Sequence, residues 1–220
     1  MGRPFIISIE GNIGSGKTTL INQLIDVGCD GSKKIVYLHE PIEVWENIKD
    51  HTGENIIQKM YKNKYKYGFS FQILAYITFW QRLQNVLKNA DENTVIICER
   101  SMNSCREVFA KMLKDSGIIE EFNYKILEIM FEQVETIPLD SIIYLNTGVE
   151  LCNARIKQRD RLGEEEISIE YLEKSHKYHD EWLKSIIQSD NPISILMVDV
   201  SLSDKEKVEK ICDYIKNYTI

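Results

Sequence analysis

Five short runs of apolar residues recur along the chain, at 5–9, 34–38, 94–98, 141–145 and 194–198. Each is rich in isoleucine or valine, and none alternates regularly with polar residues as a strand with one solvated face would. Runs of this kind are typical of strands that are covered on both faces. The pattern therefore predicts five buried strands in a parallel sheet.

Between these runs the apolar residues recur with the period of a helix. Helices are predicted at about 17–26, 43–60, 66–89, 102–114, 119–135, 149–160, 168–187 and 204–217. Strands that alternate with helices predict an α/β fold with an open parallel five-stranded sheet flanked by helices. In such a sheet ligands bind beyond the carboxyl ends of the strands, so the residues after each strand are read together.

Length and composition fit one domain over residues 1–220, with 43% apolar residues, four prolines and no linker, low-complexity run or internal repeat. The net charge of −7 argues against a protein that coats nucleic acid or a membrane surface. The apolar start is too short for a signal peptide or a membrane-spanning helix. We expect no nucleic-acid or membrane partner, and an anionic ligand would need a local basic cluster.

The cysteines also bear on the compartment. They are odd in number, form no CxxC pair and stand at positions 29, 98, 105, 152 and 212. This usage suits free thiols better than a disulfide framework. A cytoplasmic location follows as the prediction.

Residues 11–18 read GNIGSGKT, the phosphate-binding pattern G-x-x-x-x-G-K-[ST], directly after the first predicted strand. Its glycines let backbone N–H groups turn inward, and the helix that begins near Lys17 directs its positive end at the same phosphates. Lys17 would reach the β- and γ-phosphates, and Thr18 would hold Mg²⁺. An ordinary glycine-rich turn is the alternative. The predicted nucleotide-binding residues of the loop are Gly11, Asn12, Ile13, Gly14, Ser15, Gly16, Lys17, Thr18 and Thr19.

Charged residues follow the second and third predicted strands, with Glu40 after one and Glu99-Arg100 after the other. Phosphoryl transfer to an alcohol needs a carboxylate near the attacking hydroxyl, which makes Glu40 the candidate base. Arg100 could bridge the acceptor oxygen and the transferred phosphate, and Glu99 could join the Mg²⁺ shell. The alternatives are a solvated loop carboxylate at position 40 and a structural ion pair at 99–100.

A second basic cluster, Arg155, Arg159 and Arg161, follows the fourth predicted strand and runs into Gly163-Glu-Glu-Glu166. Arg155 and Arg159 lie one helical turn apart and share a face. Arginines that close over a triphosphate stabilise its transition-state charge, so the cluster predicts a mobile lid at about 155–167. A solvated helix face with salt bridges is the alternative.

The predicted helix at 66–89 is apolar nearly all round, which predicts burial on two sides and a homodimer as one outlet for the surplus. Gln72, Ala75 and Phe79 share one of its faces. A buried glutamine needs hydrogen-bond partners, and the edge of a nucleobase would supply two. Either thymine or cytosine could be read, because the amide can flip. A glutamine bonded to backbone is the alternative.

Together these motifs make the chain resemble the deoxynucleoside kinase family over almost its whole length. Its motifs are most similar to those of the multisubstrate and mitochondrial-type thymidine kinases. The resemblance rests on EGNIGSGKTT at 10–19, EPIEVW at 40–45, MY at 60–61, FSFQ at 69–72, ERS at 99–101, RIKQRDR at 155–161 and IEYLEKSHKYHDEWL at 169–183. It implies a P-loop kinase fold with an arginine-rich lid, and ATP with Mg²⁺ as the phosphate donor.

The resemblance also implies a role for individual residues. Glu40 would be the base, the catalytic cations would be Lys17, Arg100, Arg159 and Arg161, and the Mg²⁺ ligands would be Thr18 and Glu99. Arg155 would stack on the donor adenine, with Arg159 beside it. The deoxynucleoside would be held by Glu40, Trp45, Met60, Tyr61, Gln72, Ala75, Phe79, Arg100, Cys105, Phe109 and Glu164. Family members often carry Asn-Glu-Glu or Ser-Glu-Glu after the last lid arginine, whereas Leu162-Gly163 stand here, so Glu165 is an alternative to Glu164.

Two positions bear on the substrate. Purine-accepting relatives typically place an arginine seven residues after the base-reading glutamine and an aspartate six residues after the ERS glutamate, where this chain has Phe79 and Cys105. We therefore expect phosphorylation of the 5′-hydroxyl of pyrimidine deoxynucleosides, thymidine before deoxycytidine. The alternatives are a broad or purine-preferring deoxynucleoside kinase, or a thymidylate-type monophosphate kinase. The last is disfavoured because His39 stands where that family typically has an arginine.

Overall fold

The computed structural model describes residues 2–29, 33–134 and 138–217. One sheet of five strands runs through it in the order β2-β3-β1-β4-β5, and every neighbouring pair is parallel. The strands are β1 (Phe5–Glu10), β2 (Lys34–Leu38), β3 (Thr94–Glu99), β4 (Ser141–Asn146) and β5 (Ser194–Asp199). The predicted α/β class and all five predicted strands are confirmed. That residues 1–220 form one domain stays a prediction.

The register of the sheet brings the predicted site residues to one edge. Ile9 of β1 pairs with Glu99 of β3, and Glu10 pairs with Tyr144 of β4. The segments that follow these strands therefore start at the same height. The phosphate loop after β1 lies between the ends of its two neighbours.

The two outer strands differ from the expectation of full burial. Central strands β1, β3 and β4 are buried almost throughout, whereas β2 and β5 are mostly half-buried. Met197 of β5 is 48% exposed. A strand at the edge of a sheet lacks one neighbour, and its apolar sequence does not reveal this position.

The helices follow the predicted periodicity with two differences. They are α1 (Lys17–Val27), α2 (Ile42–Asn47), α3 (Ile56–Lys62), α4 (Lys64–Leu87), α5 (Met102–Ser104), a π-helix (Cys105–Ala110), α6 (Lys111–Asp115), α7 (Glu121–Gln133), α8 (Val149–Arg159), a 3₁₀ turn (Glu164–Glu166), α9 (Ile169–Ile187) and α10 (Asp204–Asn217). Residue 135, the predicted end of α7, lies outside the described residues.

The single helix predicted at 43–60 is wrong, because the segment holds α2 and α3 with a turn between them. Ile48 is extended and ends α2, and Gly53 adopts the left-handed φ of 83° in the turn that follows. Asn55 then caps α3, since its side chain accepts from the N–H of Gln58 while the Gln58 side chain accepts from the N–H of Asn55. The second difference is the π-helix, which widens the predicted helix at 102–114 beside the sheet.

Helices cover both faces of the sheet. Helices α1 and α10 pack on one face over Ile7, Ile97 and Ile143. The opposite face, with Ile6 and Ile96, packs against α9 and the π-helix. Among the described residues no helix is both long and apolar enough to cross a membrane.

One expectation about the cysteines is overturned. Cys29 and Cys212 form a disulfide with their Cα atoms 5.0 Å apart, so the prediction of five free thiols is wrong. Cys29 follows α1 and Cys212 lies in α10, and the packing of these two helices brings the sulfurs together. Because 183 residues separate the pair, spacing in the sequence gives no sign of it. The remaining cysteines, Cys98, Cys105 and Cys152, are buried free thiols.

Candidate active site

A cavity of about 600 Å³ opens at the carboxyl ends of the strands. Residues from the phosphate loop, α2, α3, α4, the π-helix and α8 line it. It brings together nearly all the site residues that the sequence predicts: Ile13, Gly14, Ser15, Gly16, Lys17, Thr18, Thr19, Glu40, Trp45, Met60, Tyr61, Gln72, Ala75, Phe79, Glu99, Arg100, Cys105, Phe109, Arg155, Arg159, Arg161 and Glu164.

The phosphate loop is held tightly around Lys17. Its ammonium donates to the carbonyl oxygens of Gly11 at 3.0 Å and Asn12 at 2.8 Å. Burial and the nearby charge of Arg100 lower the pKa of Lys17 to about 7. Gly14 adopts φ 76°, and a Cβ there would lie 2.5 Å from the carbonyl oxygen of Cys152, so only glycine lets the loop pack against α8.

Gly11 and Asn12 were predicted to bind nucleotide but do not line the cavity. The Asn12 side chain points into the protein, where its amide donates to the carbonyl of Leu172 in α9 and its oxygen accepts from the N–H of Ile13. The Gly11 carbonyl accepts from Lys17 and Arg100. Gly11 and Asn12 therefore hold the conformation of the loop on the side that faces away from the cavity.

Glu40 and Arg100 meet at the centre of the cavity. The Arg100 Nε donates to Glu40 Oε1 at 3.0 Å, and its Nη1 donates to the Gly11 carbonyl at 3.0 Å. The guanidinium lies 4.7 Å from the centre of the Phe109 ring. Arg100 thus pairs with Glu40 and not with Glu99, as a structural ion pair at 99–100 would require, and both partners line the cavity. A carboxylate and an arginine thus adjoin the phosphate loop.

Glu99 forms a second polar centre. Its Oε1 accepts from the Thr18 hydroxyl at 2.5 Å, and its Oε2 lies 3.2 Å from His39 Nδ1. Burial raises the pKa of Glu99, but the charge of Lys17 and the Thr18 hydrogen bond outweigh burial, so the pKa lies below its ordinary value.

The Thr18–Glu99 pair fits a divalent cation. A hydroxyl and an ionised carboxylate are the hard oxygen ligands that Mg²⁺ takes when phosphates complete its shell. Among residues 2–29, 33–134 and 138–217 no group of three or more His, Cys, Asp or Glu is arranged to hold a metal by itself. The donor set therefore suits an ion that arrives with a nucleotide.

In the predicted lid, two arginines donate hydrogen bonds to the same carboxylate, that of Glu164. Arg159 Nε and Nη2 donate to the two oxygens of Glu164, each at 2.7 Å, and Arg161 Nη1 donates to the same carboxylate at 3.2 Å. Glu164 is buried, whereas Glu165 accepts from the N–H of Gly163 and lies outside the cavity lining. Of the two acids, Glu164 is the one that faces the cavity.

The predicted lid contacts α3 where Gly163 approaches Gln58. Gly163 adopts φ 93°, and a Cβ on it would lie 2.7 Å from the Cα of Gln58. Backbone meets backbone at this point, which no other residue type permits. Arg155 lies one turn before Arg159 in α8, where its Nη1 donates to the Ser15 carbonyl at 2.9 Å.

The other end of the cavity is apolar. Trp45 packs edge-on against Phe71 and Phe79, with ring centres 5.2 and 6.1 Å away. Its indole N–H donates to the Thr78 hydroxyl at 3.0 Å. Gln72 is buried against this wall, and no hydrogen bond joins its amide to another described residue. The amide thus faces the cavity, not a backbone partner.

Tyr61 and Tyr171 stand between the two ends. Their rings pack edge to face at 6.0 Å, and the Lys64 ammonium lies within 6 Å of both ring centres. Burial, and then the nearby Tyr171 and Glu164, raise the pKa of Tyr61 well above its usual value. Its hydroxyl therefore stays protonated as a hydrogen-bond donor at neutral pH.

Several cavity residues were missed by the sequence analysis. Tyr171 lay inside a quoted motif but received no role. The cavity is also lined by Val200, directly after β5, and by Asp204 and Lys207 of α10, the helix that follows. The rule that ligands bind beyond the strand ends, applied to the fifth strand as it was to the first four, would have pointed to them.

Comparisons with known proteins agree with this geometry. A sequence model described as deoxynucleoside kinase matches residues 7–219. The chain is 34% identical to the probable deoxycytidine kinase of fowlpox virus over 87% of this chain and 77% of that protein. It is 32% identical to human deoxycytidine kinase over 96% and 90%. To human mitochondrial thymidine kinase 2 it is 33% identical, over 81% of this chain and 64% of the relative.

The family match covers nearly the whole chain and includes every element that lines the cavity. The phosphate loop, the Glu40–Arg100 pair and the lid arginines all lie inside the matched region. The predicted family is confirmed, and with it the kinase activity that defines it. The chain belongs to the deoxynucleoside kinase family.

Proposed function

We propose that this kinase transfers the γ-phosphoryl group of ATP to the 5′-hydroxyl of pyrimidine deoxynucleosides, thymidine first and deoxycytidine second, for nucleotide salvage. The observation that carries the preference is the wall beside Gln72, formed by Phe79 and Cys105. Neither side chain can form the charged pair of the purine-accepting relatives. A purine would meet the Phe79 ring where its second ring needs room, and its polar atoms would stay unpaired.

The transfer step uses the residues at the centre of the cavity. Glu40 accepts the proton of the 5′-hydroxyl as that oxygen bonds to the γ-phosphorus and the bond to the ADP oxygen breaks. Arg100, Lys17, Arg159 and Arg161 stabilise the charge on the transferred group. Mg²⁺, held by Thr18 and Glu99, would neutralise charge on the phosphates when bound.

The sugar and the base are recognised by different groups. Tyr61 donates to the 3′-hydroxyl, and Glu164 accepts from it. Gln72 reads the base edge, with its amide in one orientation for thymine and the other for cytosine. Ala75 and Cys105 are small and leave space for the thymine methyl, whose burial favours thymidine by about 0.8 kcal/mol. Arg155 stacks on the donor adenine.

A phosphorylation panel tests this function. ATP and Mg²⁺ are supplied with each of the four deoxynucleosides, uridine and thymidylate, and kcat/KM is measured for each. We expect thymidine to lead, deoxycytidine to follow, and both purines and thymidylate to be poor. A kcat/KM for deoxyguanosine or deoxyadenosine equal to that for thymidine would favour the broad or purine-preferring alternative.

We also propose a homodimer built on α4 and α7. These helices pack together, and α7 exposes Phe122, Ile126 and Ile129 on one face. Phe122 is 81% exposed. A run of large apolar side chains on one helix face favours a self-complementary contact with a second copy.

Sedimentation tests the homodimer. The unmodified chain should have the mass of a dimer, and the variant with both Phe122→Glu and Ile129→Glu should have the mass of a monomer. A monomer mass for the unmodified chain at every concentration would contradict the proposal.

A cytoplasmic location is the remaining proposal. Its support is the set of buried free thiols at Cys98, Cys105 and Cys152, whereas the Cys29–Cys212 disulfide argues against it, because disulfides are rare in a reducing compartment. Imaging of a fluorescent fusion in the native host tests it.

A further inference from the structure

Glu10, the last residue of β1, is a fully buried acid outside the cavity lining. Its Oε1 accepts a hydrogen bond from the Ser101 hydroxyl at 2.6 Å. Its Oε2 has no hydrogen-bond partner among residues 2–29, 33–134 and 138–217. The transfer step above gives this carboxyl group no role.

Burying an acid that has one unpaired oxygen costs free energy. Burial raises the pKa of Glu10, while the Ser101 hydroxyl and the charge of Arg100 act in the opposite direction. An apolar residue of similar volume at a site with one unpaired oxygen would be more stable. Any contribution of Glu10 to catalysis therefore comes through the hydrogen bond that it accepts from Ser101.

That hydrogen bond fixes the serine after Arg100. Because the only hydroxyl proton of Ser101 goes to Glu10, the Ser101 oxygen is left to accept from the N–H of Ser104 at 3.1 Å. The N–H of Ser101 in turn donates to Ser104 Oγ at 3.3 Å. Ser101 is thereby locked as the cap of α5.

Arg100 itself has a strained backbone. Its φ of 63° is left-handed, which is unfavourable for a residue with a Cβ and persists only where the surroundings hold it. The Arg100 N–H donates to the Ile9 carbonyl at 3.0 Å, and the locked Ser101 follows directly. Contacts on both sides of the residue thus depend on the end of β1. This conformation lets the guanidinium reach Glu40 and the Gly11 carbonyl together.

We propose that Glu10 is a positioning residue, which acts through Ser101 to hold Arg100 in the left-handed conformation that aims its guanidinium at Glu40. The inference rests on the proposed role of Arg100 in phosphoryl transfer. Glu10 touches neither substrate, so its effect falls on the transition state and not on nucleoside binding.

The test compares kcat with KM in variants of Glu10. In Glu10→Ala, kcat should fall by about tenfold to a hundredfold, because a small displacement of a charged group costs that much, while KM for thymidine changes by less than about threefold. Glu10→Gln keeps an acceptor oxygen and should recover kcat to within about threefold of the unmodified enzyme. A Gln variant as impaired as the Ala variant would overturn the hydrogen-bond mechanism.

Ser101 supplies an independent test if Glu10→Ala does not fold. Ser101→Ala should reproduce the loss of kcat, Ser101→Thr should retain activity, and Glu10→Ala with Ser101→Ala should be no worse than either alone, since both remove one hydrogen bond. Ser8→Ala is the matched control, because Ser8 is fully buried two residues earlier on the same face of β1. We expect it to have normal kcat.

Arg100→Met separates this inference from the proposed function. If that variant keeps normal kcat, the role of Arg100 fails and the inference fails with it. If Arg100→Met is impaired while Glu10→Ala and Ser101→Ala fold and keep normal kcat, only the positioning role is overturned. Unfolding midpoints and ATP affinity are measured for each variant, so that a loss of kcat is read only in folded protein.

Discussion

The two ends of the cavity are built in different ways. The end proposed to bind phosphate is built around one continuous loop, residues 11–18, of which residues 13–18 line the cavity together with arginines of α8. The base end is made by side chains from α2, α4 and the π-helix, which are far apart in the sequence. One end depends on backbone conformation, and the other depends on which side chains meet.

This difference predicts how each end responds to substitution. A change at the phosphate end alters contacts that every substrate shares, so it should lower all rates alike. A change at the base end alters contacts that differ between bases, so it should change the ratio of rates. Glu40 and Arg100 lie where the two ends meet.

The largest effect is expected at that junction. Glu40→Gln should lower kcat by about two to four orders of magnitude for thymidine and deoxycytidine alike, because the base is lost, while ATP affinity stays near normal. Steady-state kinetics and nucleotide titration measure both. Glu43→Gln is the control, since Glu43 lies three residues later, in α2, and outside the cavity lining. Near-normal turnover of Glu40→Gln at saturating thymidine would remove Glu40 from the chemistry.

The base end should yield the next largest effect. Phe79→Arg combined with Cys105→Asp creates a charged pair in place of the apolar wall. The ratio of kcat/KM for deoxyguanosine to that for thymidine should rise by at least about tenfold. Phe79→Arg alone leaves a buried charge unpaired and should lower both rates. An unchanged ratio in the double variant would mean that the two side chains only fill space.

The sugar contacts should give an intermediate effect. A 3′-deoxy analogue of thymidine leaves the partners of the 3′-hydroxyl unpaired. The lower kcat/KM should correspond to a loss of about 1–3 kcal/mol of transition-state stabilisation per buried group. Tyr61→Phe should lower kcat/KM for thymidine similarly and add little further loss with the analogue. Tyr65→Phe is the control, because Tyr65 is 74% exposed and lies outside the cavity lining. Equal kcat/KM for thymidine and its analogue would contradict these contacts.

The smallest effect concerns stability. Trp45→Phe removes the hydrogen bond from the indole to Thr78 and should lower the free energy of unfolding by about 1 kcal/mol beyond the change in packing. Trp80→Phe is the matched control, because Trp80 Nε1 has no hydrogen-bond partner within the described ranges. Urea unfolding of both variants measures the difference. If Trp80→Phe costs as much as Trp45→Phe, the hydrogen bond contributes nothing measurable.

The phosphate loop was predicted from a local pattern in the sequence, whereas most residues of the base end were predicted only through the family resemblance. A loop that folds through its own glycines is visible as a local pattern, and so are apolar runs that form strands. The split between α2 and α3 was missed although Gly53 and the Asn55–Gln58 cap are both present in the sequence. The Cys29–Cys212 bond and the contact between Ser101 and Glu10 join distant segments, so no local pattern reveals them.

The contact between Gly163 and α3 limits how far the predicted lid could close over the cavity. Where Gly163 meets Gln58 there is backbone on both sides, so the lid has reached a hard stop that no rotamer change can relax. A stop of this kind is the same whichever nucleoside lies beneath it. Extra bulk on a substrate then meets the packed rings of Trp45 and Phe79 at the base end, and no wider position of residues 155–167 relieves the contact.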